Sequence, residues 1–247
     1  MTTVAISLKM YFGPARAQAY CATLASLAAR HPDVTSGATE LVVLPSFVAI
    51  PAALSAAGTT RLQVGAQDLA TEDAGAFTGE VSGAELAELG VTHVEVGHAE
   101  RRRLFGEDDA VVRAKTGAAL RNGLVPLLCV GETSRLDPEA AAAVVVKQVA
   151  SAIPDGTGKR VLVAYEPVWA IGAAQPAPHA YTSAVCHAVR AALGERLGDF
   201  GILYGGSAGP GLVAALGDSV DGLFLGRFAH DPSAVETVLD ELAATRR

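Results

Sequence analysis

The chain has 247 residues, half of them hydrophobic and 18% charged, enough to bury a large core and the usual size of one (β/α)₈ barrel. A formal net charge of −7 and a pI near 5.3 remove any general electrostatic reason to bind nucleic acid or an anionic membrane, so an anionic ligand would need local cations and helix N-termini. Cys21, Cys129 and Cys186 are too few and too scattered for a disulfide framework or a zinc site. The opening Met-Thr-Thr-Val-Ala-Ile has no basic segment ahead of a long apolar core, and no uncharged run approaches the ~18 residues of a membrane span, so a cytoplasmic location is expected.

In chain order, the first short apolar run, residues 4–8, closes on Lys9. A lysine ending a buried strand is either a snorkelling surface residue or a site cation. Pro14 then opens an Ala-rich stretch over 15–30 that reads as a helix. Apolar runs follow at 41–44 and 62–66, and Ser82 with Glu85 three residues on fits a capping box. The fourth run, 91–96, leads into Gly97-His98-Ala99-Glu100-Arg101-Arg102. His98 is either a hydrogen-bonded core residue or a site residue. The segment after it starts like a helix with Glu100 in its first turn, and a helix N-terminus disfavours imidazolium, so a neutral ring is expected.

A helix over 108–121, a run at 125–130 and a helix over 139–152 behind Pro138 come next. The sixth run, 161–164, leads through Tyr165 to Glu166, followed by Pro167-Val168-Trp169-Ala170-Ile171-Gly172. Burying a carboxylate is costly unless it is paired or functional. The apolar residues and then Gly172, Ala173 and Ala174 fit a lid over a site, or else an ordinary loop with one packed Trp. After a helix over 180–197, the run 201–204 ends in Tyr204-Gly205-Gly206-Ser207. The run 222–225 ends in Gly226, and 233–244 reads as the last helix. Glycines in those two loops let backbone N–H groups approach an anion, and barrels commonly hold phosphate there.

Eight strand–helix units with no linker predict an α/β chain forming a single (β/α)₈ barrel domain over 1–247, with a doubly wound open sheet as the rival. In a barrel, chemistry sits at the C-terminal ends of the strands, which is where Lys9, His98, Glu166, Ser207 and Gly226 fall.

At these residues the sequence resembles the triosephosphate isomerase family. The resemblance runs nearly end to end through Lys9-Met10, Gly75-Ala76-Phe77-Thr78-Gly79-Glu80, Val96 to Arg102, Cys129-Val130-Gly131-Glu132, Ala164 to Gly172 and Tyr204 to Ser207. It implies the glutamate base, neutral histidine and water-excluding loop established for that family. On that reading Glu166 removes a proton beside the substrate carbonyl. His98 polarises the carbonyl oxygen, and Lys9 supplies positive charge to the enediolate and phosphate. Glu100 supports Lys9. The loop 167–174 closes over the substrate with the Gly172 N–H on phosphate, Tyr204 and Ser207 latch it, and the Ser207 and Gly226 N–H groups bind phosphate. No metal or organic cofactor is implied. The loop 75–80 resembles one that reaches into a neighbouring subunit, with Thr78 beside its lysine and histidine, so a homodimer is expected; the bland reading is a surface turn.

Three residues depart from the family pattern. Ser7 stands where the family has asparagine, Ala99 where it has serine, and Arg227 where the strand-eight loop has a second glycine. Gly226-Arg227 also resembles the branch that converts L-erythrulose 1-phosphate to D-erythrulose 4-phosphate in erythritol breakdown. There Ser7 would make room for a fourth carbon, and Arg227 would hold an added oxygen or a displaced phosphate; alternatively, Arg227 points to solvent. The rival substrates are glyceraldehyde 3-phosphate and dihydroxyacetone phosphate, of glycolysis and gluconeogenesis. Two further readings stay open at this stage: a non-catalytic phosphate-binding barrel, and an aldolase with Lys9 as a Schiff-base amine.

Overall fold

Eight parallel strands close into a barrel in sequence order, with β1 hydrogen-bonded to β8. The computed structural model describes residues 1–154, 158–171 and 177–245. The strands are β1 (Thr2–Ser7), β2 (Thr39–Leu44), β3 (Leu62–Ala66), β4 (His93–Val96), β5 (Val125–Val130), β6 (Val161–Tyr165), β7 (Phe200–Tyr204) and β8 (Gly222–Leu225). Among the described residues the helices are α1 (Pro14–Arg30), α2 (Pro32–Ser36), α3 (Ile50–Ala57), α4 (Gly83–Leu89), α5 (Ala99–Phe105), α6 (Asp109–Arg121), α7 (Pro138–Ala152), α8 (His179–Leu197), α9 (Leu212–Leu216) and α10 (Pro232–Thr245). None is long and apolar enough to cross a membrane.

Local chemistry accounts for the helix starts. Pro14 and Pro138 open α1 and α7, where a missing N–H costs nothing. Asp108 and Asp137 accept the backbone N–H of Val111 and Ala140, each at 2.9 Å. Both halves of the Ser82–Glu85 capping box form. The fourth apolar run enters the sheet two residues later than its composition suggests, because the Val91 N–H is drawn to Leu86 O at the end of α4.

Alternation along each strand sorts side chains to two sides. Val4, Ile6, Leu41, Val43, Val94 and Val96 join the large core between sheet and helices. Ala5, Val42, Leu44, Leu127, Cys129, Leu162, Ala164, Leu203 and Phe224 form a second cluster drawn from strands alone, which fills the barrel. Burial on both faces is what a parallel barrel requires of its strands. The N-terminal mouth is plugged by polar groups: Arg160 Nη1 lies 3.0 Å from Glu40 Oε2, Thr3 Oγ1 donates to that oxygen at 3.1 Å, and His93 Nε2 is 3.5 Å from Glu40 Oε1. The opposite, C-terminal mouth carries the unusual strand-end residues.

Candidate active site

Lys9 follows β1 in a left-handed backbone conformation, φ 46°. Ser207 after β7 is the other non-glycine residue with positive φ among the described residues, at 54°. Such conformations cost on the order of 1–3 kcal/mol and persist only where the surroundings enforce them. Part of that enforcement is visible: Gln67, just beyond β3, donates from Nε2 to the Lys9 carbonyl at 3.1 Å and to the Leu44 carbonyl at 2.8 Å. Lys9 Nζ then meets Glu100 Oε1 at 2.7 Å. Burial alone would depress the Lys9 pKa, but the hydrogen bond and charge of Glu100, with Glu166 and Glu95 behind it, hold it above its ordinary value. Lys9 is therefore held as an ion-paired cation, the opposite of the free amine that a Schiff base requires.

His98 leaves β4 and caps α5. Its Nδ1 accepts the Glu100 N–H at 3.1 Å. A nitrogen that accepts carries no proton, so the neutral ring bears its hydrogen on Nε2, the atom that lies 3.4 Å from Glu166 Oε2. Burial, then the Lys9 charge, push the ring pKa down to about 4. Behind this turn, Lys115 Nζ contacts Asp68 Oδ1 at 2.6 Å and Glu107 Oε1 at 2.7 Å. Arg101 contacts the same two carboxylates at 2.8 and 2.6 Å. This largely buried four-charge network anchors the start of α5 to the end of β3.

Glu166 follows β6 with 6% of its surface exposed. Its backbone N–H is bonded to Val130 O at 2.8 Å. Two glycines exist around it for reasons of space. A Cβ on Gly131 would fall 1.8 Å from the Glu166 carbonyl oxygen, and one on Gly205 would fall 2.7 Å from both its Cγ and Oε1. Burial, then the Glu95 charge, raise the carboxyl to about 8 against the opposing pull of Lys9, and Oε2 has no hydrogen-bond partner among the described residues. A desolvated carboxylate with a free oxygen is a strong base awaiting a proton. Beyond it, Trp169 Nε1 and the Tyr181 hydroxyl donate to Glu132 Oε1 at 2.7 and 2.8 Å, docking the segment after Pro167.

Ser7, Lys9, His98, Glu100, Glu166, Ser207, Gly226 and Arg227 line one cavity of about 180 Å³. A second cavity of about 610 Å³ shares His98, Glu100 and Glu166 with it and extends past Ala99 toward Gln148. Residues scattered over the sequence thus converge on one space. Arg227 is exposed at its rim, beside Phe228. Tyr204 does not line it: the ring is buried on the helix side of β7, 6.3 Å from that of Tyr165, with its hydroxyl beneath Gly206. Thr78 is exposed on the loop 75–80, away from the cavity lining of its own chain. Gly172 and the rest of 172–176 lie outside the described residues.

Sequence reading missed Glu95, Gln67 and Glu132 as site-supporting residues. Glu95 projects from β4 into the barrel, 3% exposed. Its Oε2 accepts the Ser7 hydroxyl at 2.9 Å and its Oε1 lies 4.0 Å from His98 Nε2. The signal available was a carboxylate inside an apolar strand run.

Comparison with known proteins identifies the family and the fold. The sequence model of the family described as triosephosphate isomerase matches residues 2–242. The chain is 49% identical over 246 residues to L-erythrulose-1-phosphate isomerase of Pectobacterium atrosepticum, covering 97% of this chain and 95% of that protein. It is 41% identical over 219 residues to triosephosphate isomerase of Moorella thermoacetica, covering 85% and 88%. It is also 41% identical over 211 residues to L-erythrulose-1-phosphate isomerase of Mesorhizobium japonicum, covering 82% and 83%. The crystal structure of triosephosphate isomerase from Bartonella henselae superposes with a TM-score of 0.83 at 28% identity, over 98% of this chain and 99% of that one.

Proposed function

The chain belongs to the triosephosphate isomerase family, and from that premise we propose that this isomerase interconverts L-erythrulose 1-phosphate and D-erythrulose 4-phosphate through an enediolate. The observation that carries the chemistry is the Glu166 carboxylate 3.4 Å from a proton-bearing His98 Nε2 with the Lys9 ammonium beside them. Glu166 takes the proton from the carbon next to the carbonyl. His98 donates its Nε2 hydrogen bond to the oxygen on which charge develops, and Lys9 stabilises that charge. His98 Nε2 relays the hydroxyl proton from one enediolate oxygen to the other, and returning the carbon-bound proton from Glu166 to the former carbonyl carbon then moves the carbonyl by one position, with no electron acceptor in the balance. On this reading the phosphate is received by the N–H groups of Ser207 and Gly226, supported by both residues lining the cavity just beyond β7 and β8.

The similarity to two L-erythrulose-1-phosphate isomerases supports the four-carbon substrate, as does the short Ser7 side chain in the cavity wall. The alternative, triose phosphate interconversion, is favoured by the 41% identity to a triosephosphate isomerase. One preparation assayed on both erythrulose phosphates and on both triose phosphates decides between them: the proposal expects the higher kcat/KM on the four-carbon pair, and the reverse order refutes it.

A cytoplasmic homodimer completes the proposal. Met10, Tyr11, Phe47, Val48, Phe77, Leu104 and Phe105 are exposed apolar residues on the segments following β1 to β4, Met10 at 94%. So much apolar surface on adjoining loops fits burial against a second copy. Sedimentation at the 25.2 kDa of a single chain would refute it.

A further inference from the structure

The proton transfer just described leaves the Ser7–Glu95 pair without a task. Glu95 is the register partner of Leu127, whose side chain belongs to the strand-only cluster that fills the barrel together with Leu44, Ala164 and Phe224. A carboxylate taken out of water there is costly, and one hydrogen bond offsets only a fraction of that cost. Burial pushes Glu95 up to about 7, against Ser7 and Lys9, which favour its charged form.

Its direct partner is Ser7, which lines the 180 Å³ cavity. A hydroxyl has one proton and two lone pairs, and in the observed bond Ser7 Oγ donates to Glu95 Oε2 at 2.9 Å. The Ser7 proton is therefore committed to Glu95 Oε2, and its lone pairs are left for the cavity. Around it stand the donors His98 Nε2 and Lys9 Nζ, suited to a carbonyl or enediolate oxygen, while of the two carboxylates in the same wall Glu100 is paired with the Lys9 ammonium and Glu166 is reserved for the carbon-bound proton. An acceptor in this wall with no other engagement suits a substrate O–H. The four-carbon ketose phosphate has one more hydroxyl than the three-carbon one.

We propose that Ser7, its own proton held by Glu95, accepts the additional hydroxyl of a four-carbon ketose phosphate, and that Glu95 is the positioning residue that fixes the polarity of Ser7. This rests on the four-carbon reading of the reaction above. The test is kcat and KM for wild type, Ser7→Ala, Glu95→Leu and Glu95→Gln on L-erythrulose 1-phosphate and on dihydroxyacetone phosphate, with a thermal melt of each protein. Ser7→Ala and Glu95→Leu are expected to lower the four-carbon to three-carbon ratio of kcat/KM by about 10- to 100-fold, mainly through KM, the range of a lost buried hydrogen bond. Glu95→Gln retains an acceptor for the Ser7 proton and is expected to restore most of that ratio. Should Glu95→Leu fail to fold, Ser7→Ala still reads the ratio and Glu95→Gln the rescue. Parallel loss on both substrates, or a Gln variant as poor as the Leu one, overturns the proposal while leaving the reaction intact. A wild-type enzyme inert toward the four-carbon substrate overturns both.

Discussion

Gly205→Ala separates catalysis from folding at this site. The added methyl would sit 2.7 Å from Glu166 Cγ and Oε1 and 3.1 Å from Cδ. Non-bonded carbons rest at about 3.5–4.0 Å, so the carboxylate must retreat by roughly 0.8 Å or more. Gly205 does not have the left-handed φ that would exclude alanine, and the clashing atoms belong to a side chain rather than to the backbone, so the fold survives. The reaction does not tolerate the shift equally well: misplacing a reacting group by about 1 Å costs on the order of 100-fold in rate, or about 2.7 kcal/mol of barrier. Gly131→Ala is the contrasting variant, because its methyl would meet the Glu166 carbonyl oxygen at 1.8 Å, where only backbone movement relieves it. Coupled turnover assays and thermal melts on both proteins read the difference. Gly205→Ala is expected to melt within a few degrees of wild type with kcat/KM down about 100-fold, whereas Gly131→Ala is expected to lose stability outright. Wild-type turnover in folded Gly205→Ala would show that the Glu166 carboxylate does not act from its observed position.

Two further predictions concern protonation. With its pKa held down to about 4 by burial and Lys9, His98 is expected to show ¹⁵N shifts of a neutral ring protonated on Nε2, unchanged from about pH 9 to about pH 5; a titration near the ordinary value of about 6.5 would contradict this. Glu95 titrates at about 7 in the fold against 4.5 ordinarily, so the folded chain holds a proton that the unfolded chain has lost between those values. Its contribution is fully present below about pH 4.5 and declines as pH rises through 7, by about 3 kcal/mol in all. Glu95→Gln escapes that decline, so its melting temperature should gain on wild type between pH 5 and pH 8, and parallel melting curves across that range would refute the assignment.

Much of the barrel was legible because its signals are local. Apolar runs of four to six residues mark strands buried on both faces, and Pro14, Pro138 and the Ser82–Glu85 pair mark helix starts within a few residues of where they act. Lys9, His98 and Glu166 stood out because each is a costly group at the end of such a run. Only the closed structure decided what those groups meet. Alternation says that Glu95 and Val96 point to opposite sides of β4, but not which side is the barrel interior; closure of β8 onto β1 settles that and turns a carboxylate in an apolar run into the partner of Ser7, 88 residues away. The same holds for Gln67 gripping the Lys9 carbonyl from 58 residues away and for Glu100 pairing with the Lys9 ammonium across 91. A chain records its periodicity residue by residue, whereas a hydrogen bond between distant strands depends on the register and curvature that all eight strands set together.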